Sequence, residues 1–166
     1  VLERSLISNT DWRLIRKCPA PLMLVKPRPW VKNGVVVTAV DPLHSKAAQS
    51  RLDHVLLSAT MAVSKAMGMT PRVFHSYYPF VSTLFPMGGS SREHLDRIRE
   101  HHEEKLMELL TDYEVAAEDI ELSEGDLAPS LIKHLKEVDA NLLVIGALSR
   151  NVLERAIVGN TAERIL

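Results

Sequence analysis

The sequence predicts an α/β fold, a parallel twisted sheet with helices on both faces in the Rossmann-like manner, and three observations lead there. Residues 35–40 are β-branched and nearly all apolar, and 141–145 is a second short apolar run, the pattern of strands buried on both faces. Longer segments between them carry apolar residues at helical spacing. The two patterns alternate along the chain, which βαβ crossovers convert into a parallel sheet covered on both sides. At 166 residues and 46% hydrophobic composition, the chain can bury one core of that kind.

The elements follow in order. Asn9-Thr10-Asp11 is helix N-cap chemistry, and the helix it opens is stopped by Cys18-Pro19. Pro21 to Val25 is an apolar run of strand length, and Lys26-Pro27-Arg28-Pro29 reads as an extended linker. Val35 to Val40 is a buried strand ending at Asp41-Pro42. Residues 45–67 place Ala48, Leu52, Val55, Leu56, Ala59, Ala62, Val63 and Ala66 on one helical stripe, terminated by Gly68. Arg72 to Tyr78 is the next strand. The segment 79–90, with Pro79, Pro86 and Gly88-Gly89, reads as a long connection whose Phe80, Leu84, Phe85 and Met87 would cover the core edge or line a cleft. Ser91 opens a charged helix through Tyr113, with Leu95, Ile98, Leu106, Leu109 and Leu110 inward and most charge assigned to a solvated face. Val115 to Leu122 is a third strand and Glu124-Gly125-Asp126 a turn. Pro129 begins a helix carrying Leu131, Ile132, Leu135 and Val138. Asn141 to Ile145 is the fourth strand, followed by a polar loop and a terminal helix from Thr161.

Composition excludes several function classes. With 20 Lys and Arg against 21 Asp and Glu, for a net charge of -1, no overall field favours nucleic acid or an anionic membrane. The single Cys18 forms no internal disulfide, which favours a reducing, cytoplasmic setting, and it reads as a small packed residue. No run approaches the roughly 18 to 20 apolar residues that span a bilayer.

The two ends of the chain resemble each other. Residues 1–15 align without gaps to 152–166, with identities at Val1/Val152, Leu2/Leu153, Glu3/Glu154, Arg4/Arg155, Asn9/Asn160, Thr10/Thr161 and Arg13/Arg164. The expectation is a tandem repeat with a domain-length period, of which this chain is a piece. Residues 1–29 would then be the last helix and strand of a first copy, and 30–166 a second copy lacking its last strand.

Ligands of open parallel sheets bind beyond the carboxyl ends of the strands, here near Asp41, His75, 124–126 and Gly146 onward. The fourth strand runs into Gly146, then two residues, Ser149, nine residues, and Gly159-Asn160-Thr161 at a helix start. Glycine lets backbone approach an anion closely, and amides at a helix N-terminus favour phosphate. With Asp41 after the first strand, this pattern resembles the nucleotide-binding members of the universal stress protein family, and the repeated ends resemble its tandem-domain bacterial type. That resemblance implies a stress-response module binding ATP or another adenine nucleotide through Asp41, Gly146, Ser149, Gly159, Asn160 and Thr161. It also implies a homodimer, or a tandem pseudo-dimer, formed through edge strands, which the run Leu22 to Val25 would join. Two positions depart from the family pattern: Ser149 replaces its second glycine, and Asn160 stands where it has Ser or Thr. An ATP switch or slow ATPase, and an apolar-ligand carrier using the 79–90 segment, are the alternative readings. No catalytic constellation and no metal-ligand spacing stand out. His75 reads as a satisfied core or rim histidine, and His94, His101 and His102 as surface charge beside glutamates.

Overall fold

The computed structural model describes residues 31–43, 47–78 and 91–146, together with 14–15, 18, 20–25, 148–149 and 157–158. Contacts divide the chain into residues 31–144 and a second unit formed by 1–30 with 145–166. In the first unit the order is β1 (Val35–Ala39), α1 (Ala47–Met67), β2 (Thr70–Tyr77), α2 (Ser91–Leu110), a 3-10 turn (Ala117–Asp119), β3 (Ile120–Glu124), α3 (Leu127–Glu137) and β4 (Ala140–Val144). The sheet order is β3-β2-β1-β4 and every pairing is parallel, with Val37 opposite Arg72 and Val73 opposite Ile120. The α/β expectation is therefore met.

The chain adds β2 and β3 on one side of β1, then reverses and adds β4 on the other. With one handedness of crossover, reversing direction moves the connecting helix to the opposite face. Side-chain contacts agree. Val40 and Val73 share a buried cluster with Leu57 of α1 and with Leu106 and Leu110 of α2. Phe74, the neighbour of Val73 and so pointing the other way, meets His134 of α3 with ring centroids 5.3 Å apart.

Local sequence accounts for the ends. Gly68 takes φ +64° after α1, and the Met69 amide donates to the Ser64 carbonyl at 2.9 Å, closing a Schellman motif. Asp126 is the N-cap of α3, which begins at Leu127 rather than at Pro129. Pro129 falls in the first turn, where its missing amide costs no helical hydrogen bond. The third strand starts at Ile120, not Val115, because Ala117–Asp119 turn first, and it keeps Glu124 in the ladder. The α2 helix ends at Leu110, short of Tyr113.

The inner face of α1 differs most from expectation. Its buried residues are Asp53, Leu56, Leu57, Thr60 and Ser64, while Val55 is exposed. Thr60 satisfies its hydroxyl by donating to the Leu56 carbonyl at 2.8 Å.

In the second unit, Leu14 and Ile15 are helical and the Cys18 amide donates to the Leu14 carbonyl at 2.8 Å. Residues 21–25 are exposed and form no strand, so the expected strand at Leu22 to Val25 is not formed. In place of an all-loop segment, β5 (Leu148–Ser149) pairs antiparallel with β6 (Ile157–Val158), setting Ser149 opposite Ile157. The helix start at residues 9–11, the linker 26–29, the segment 79–90 and the terminal helix from Thr161 lie outside the described residues. No helix among the described residues is long and apolar enough to cross a membrane.

Leu57 is fully buried whereas Val55, two residues away, is 57% exposed. Leu57→Ala is therefore expected to cost about 2 to 5 kcal/mol in urea unfolding, and Val55→Ala about 0.5 kcal/mol or less.

Candidate functional site

The strand ends create the site. Beyond the carboxyl termini of β1, β2 and β3 lies a cleft of about 660 Å³ lined by Val40, Asp41, His75, Ser76, Tyr78, Gly125, Asp126 and Leu127. Each residue arrives from a strand end, from the turn that follows it or, for Leu127, from the start of α3. Gly125 makes the β3 turn possible, since its φ of +129° is a conformation L side chains rarely adopt. Its amide donates to the Tyr77 carbonyl at 2.8 Å, tying the turn to β2.

The wall at β1 is held by side chains. After Ala39 the Val40 amide still donates to the Phe74 carbonyl at 3.0 Å, but the next peptide leaves the ladder. Its carbonyl, on Val40, accepts from His75 Nδ1 at 3.0 Å, and its amide, on Asp41, donates to Asp53 Oδ1 at 3.3 Å. Both polar groups of one peptide are thus fixed by residues that are almost fully buried, His75 and Asp53.

His75 uses its second nitrogen as well. A carbonyl can only accept, so Nδ1 carries the proton, and Nε2 of the neutral ring accepts from His102 Nδ1 at 2.8 Å. The centroid of the His102 ring, from α2, lies 5.1 Å from that of His75 and 5.0 Å from that of Tyr77. Burial pushes both histidines below the ordinary imidazole value, against the pull of the Val40 carbonyl and Asp41 on His75; His75 and His101 lower His102 further. Burial, and next the Glu124 carboxylate, push the Tyr77 phenol up. With both nitrogens engaged, His75 is a structural member of the wall, as its sequence context implied.

Of the residues picked out from sequence, Asp41 lines this cleft. Gly146 is exposed in irregular backbone after β4, and Ser149 lies in the β5–β6 ladder. Gly159, Asn160 and Thr161 lie outside the described residues. His102 is not the surface charge expected of it: it is half-buried and bonded to His75. The missed signal was its place on the apolar stripe, four residues after Ile98 and four before Leu106. Asp53 was missed too, because a carboxylate inside a helix face scores against an apolar template. Among the described residues, no group of three His, Cys, Asp or Glu is arranged to hold a metal ion.

Among the described lining residues the charged groups are carboxylates, Asp41 and Asp126, with no Lys or Arg. Such a wall suits hydroxyl and amino donors of a small polar molecule and repels phosphate.

A family model described as "Universal stress protein family" matches residues 33–166. Universal stress protein E of Salmonella typhi and that of Escherichia coli (strain K12) are each 27% identical over 99% of this chain and 53% of their own length. The chain spans about half the length of these curated relatives. A solved structure described as a putative universal stress protein from Pseudomonas aeruginosa UCBPP-PA14 superposes with a TM-score of 0.77 at 25% identity, covering 99% of this chain and 54% of that one. A protein from Pseudomonas aeruginosa PAO1, described as functionally unknown, gives 0.79 at 23% over the same shares.

The Asp53 clamp can be tested directly. Asp53→Ala is expected to lower unfolding free energy by about 1 to 3 kcal/mol, and Asp53→Asn, which keeps an acceptor oxygen, by clearly less in the same urea titration.

Proposed function

The chain belongs to the universal stress protein family, and from that membership we propose that it is a small-ligand-binding stress-response module whose strand-end cleft holds the nucleoside part of an adenine nucleotide. The observation that carries this reading is the wall at β1, where Asp41 borders the cleft and its own peptide is clamped on both sides. A carboxylate is a good acceptor for ribose hydroxyls or an exocyclic amine, and a wall whose backbone is already held loses little entropy on binding. Tyr78 adds an aromatic surface at the same rim, 69% exposed.

Phosphate recognition is the weaker part of this reading. The described lining offers it no cation, and Ser149, which replaces the second glycine of the family pattern, sits in a ladder where its backbone faces Ile157. Gly146, Ser149, Gly159, Asn160 and Thr161 remain the residues proposed from the family pattern to meet phosphate, with the nucleoside supplying most of the affinity. Association through sheet edges belongs to the same reading: among the described residues β4 pairs only with β1 and leaves its outer edge for another strand.

Calorimetric titration with adenosine, AMP and ATP tests this. Adenosine and AMP are expected to bind within about tenfold of each other, since the phosphate adds little. Asp41→Ala should weaken adenosine by about tenfold, the worth of a hydrogen bond to a charged group. Ser149→Gly should tighten ATP and leave adenosine unchanged. Absence of heat with all three ligands at millimolar concentration would end the nucleotide reading.

A further inference from the structure

The His75–His102 contact has a property the cleft does not need. Because Nδ1 of His75 is committed to the Val40 carbonyl, the ring offers His102 only Nε2, and the bond between them requires one proton between two nitrogens 2.8 Å apart. The neutral pair meets this requirement. A first added proton also fits, on the Nε2 of His102 that the bond leaves bare, and it makes the surviving bond charge-assisted. A second added proton does not fit: with His75 Nε2 also protonated, two N–H groups face each other and two cations share one contact.

We propose that His75 and His102 form a proton-operated latch that holds the middle and amino-terminal part of α2 against β2, and that lets go when both rings are protonated. The helix gives the latch its leverage. Its carboxyl-terminal half is anchored in the core by Leu106 and Leu110, both almost fully buried. Residues 92–101 are exposed or half-buried, with Leu95 and Ile98 half-buried, so among the described residues His102 is the last side chain of α2 hydrogen-bonded to β2 before them. Release therefore frees the amino-terminal half while the other half stays docked.

The surrounding charges set when this happens. Asp41, at the end of β1, favours protonation of both rings, while His101 on α2 opposes it at His102. Tyr77 of β2 stacks on His102 and is itself flanked by Glu124 of β3 and by Asp96 and Arg99 of α2. Burial outweighs the attraction to Asp41, so the pair stays unprotonated to lower pH than free imidazole. For a histidine depressed in this way the stabilisation is complete above the unfolded value of about 6.5 and is lost as pH falls from there toward the folded value. The latch accordingly opens on acidification, without requiring any ligand in the cleft.

Amide hydrogen exchange on the full chain, corrected for intrinsic rates, reads the opening. Between pH about 7.5 and about 5, opening of amides in residues 95–103 should rise by about tenfold or more, while those of β1 and β2 change less. His102→Gln, at a half-buried position, should abolish that pH dependence, whereas His134→Gln should leave it intact. An equal acid response in the His102→Gln protein, or a flat response in the unaltered protein, would overturn the proposal. Should the His102→Gln chain fail to fold, ring nitrogen shifts of the unaltered protein decide the matter. Two separated, depressed titration steps shared by His75 and His102 support the latch, and two independent steps at the ordinary value refute it.

Discussion

One peptide group, the one joining Val40 to Asp41, governs the functional end of the sheet. Its carbonyl and amide lie just past the β1 ladder, where unpaired backbone would be costly, and each is taken by a buried side chain from a different element, His75 of β2 and Asp53 of α1. The arrangement fixes the strand end without covering it. A helix or strand continuing the ladder would have satisfied the same groups but filled the space where the cleft now lies. Side-chain clamps leave the face beyond Asp41 open, which is what a binding wall requires.

Holding that peptide imposes conditions on the rest of the core. β2 is flanked by strands on both sides and by helices on both faces, so His75 is almost fully buried at the base of the cleft and must find partners within the protein. The second partner comes from α2, and this places an imidazole on a stripe otherwise made of Leu and Ile. Asp53 imposes a similar condition on α1, whose inward face alternates Leu56 and Leu57 with Asp53, Thr60 and Ser64. Thr60 pays for its burial with a bond to its own helix, and Asp53 with the clamp on Asp41. The apolar contribution is concentrated where α1, β2 and α2 meet, at Leu57, Val73, Leu106 and Leu110.

These conditions explain which parts of the fold could be read from sequence. The strand at 35–39 was legible because its central residues are buried on both faces, while that at 140–144, expected to be buried, is an edge strand with Asn141 exposed and its other residues half-buried, and was legible from the apolar run 142–145 alone. The Gly68 stop and the turn at Gly125 were legible because each position has a positive φ. The stripe of α1 was legible only in part: counting apolar residues selects Ala48, Leu52, Val55, Leu56, Ala59, Ala62, Val63 and Ala66, of which Leu56 is buried, and passes over the buried Leu57, Asp53, Thr60 and Ser64. His102 was misread because its acceptor lies 27 positions earlier in the chain. The run Leu22 to Val25 has strand composition, but a ladder needs an edge to pair with, and no residue in the run is paired. For the site, Asp41 was placed correctly by the rule that ligands meet the carboxyl ends of strands, while its supports were invisible.

The charge of the cleft bears on what kind of ligand the family scaffold serves here. A site dominated by phosphate recognition needs cations or several unengaged amides converging on one point. The described cleft has instead two carboxylates, an imidazole kept neutral by burial, and hydroxyls on Ser76 and Tyr78. Raising the charge of the imidazole would make the wall less acidic, but burial opposes this, and the second nitrogen is already committed to His102. The charged groups of the described lining are therefore its carboxylates alone. A ligand entering it gains most by presenting donors, and the uncharged end of a nucleoside presents several.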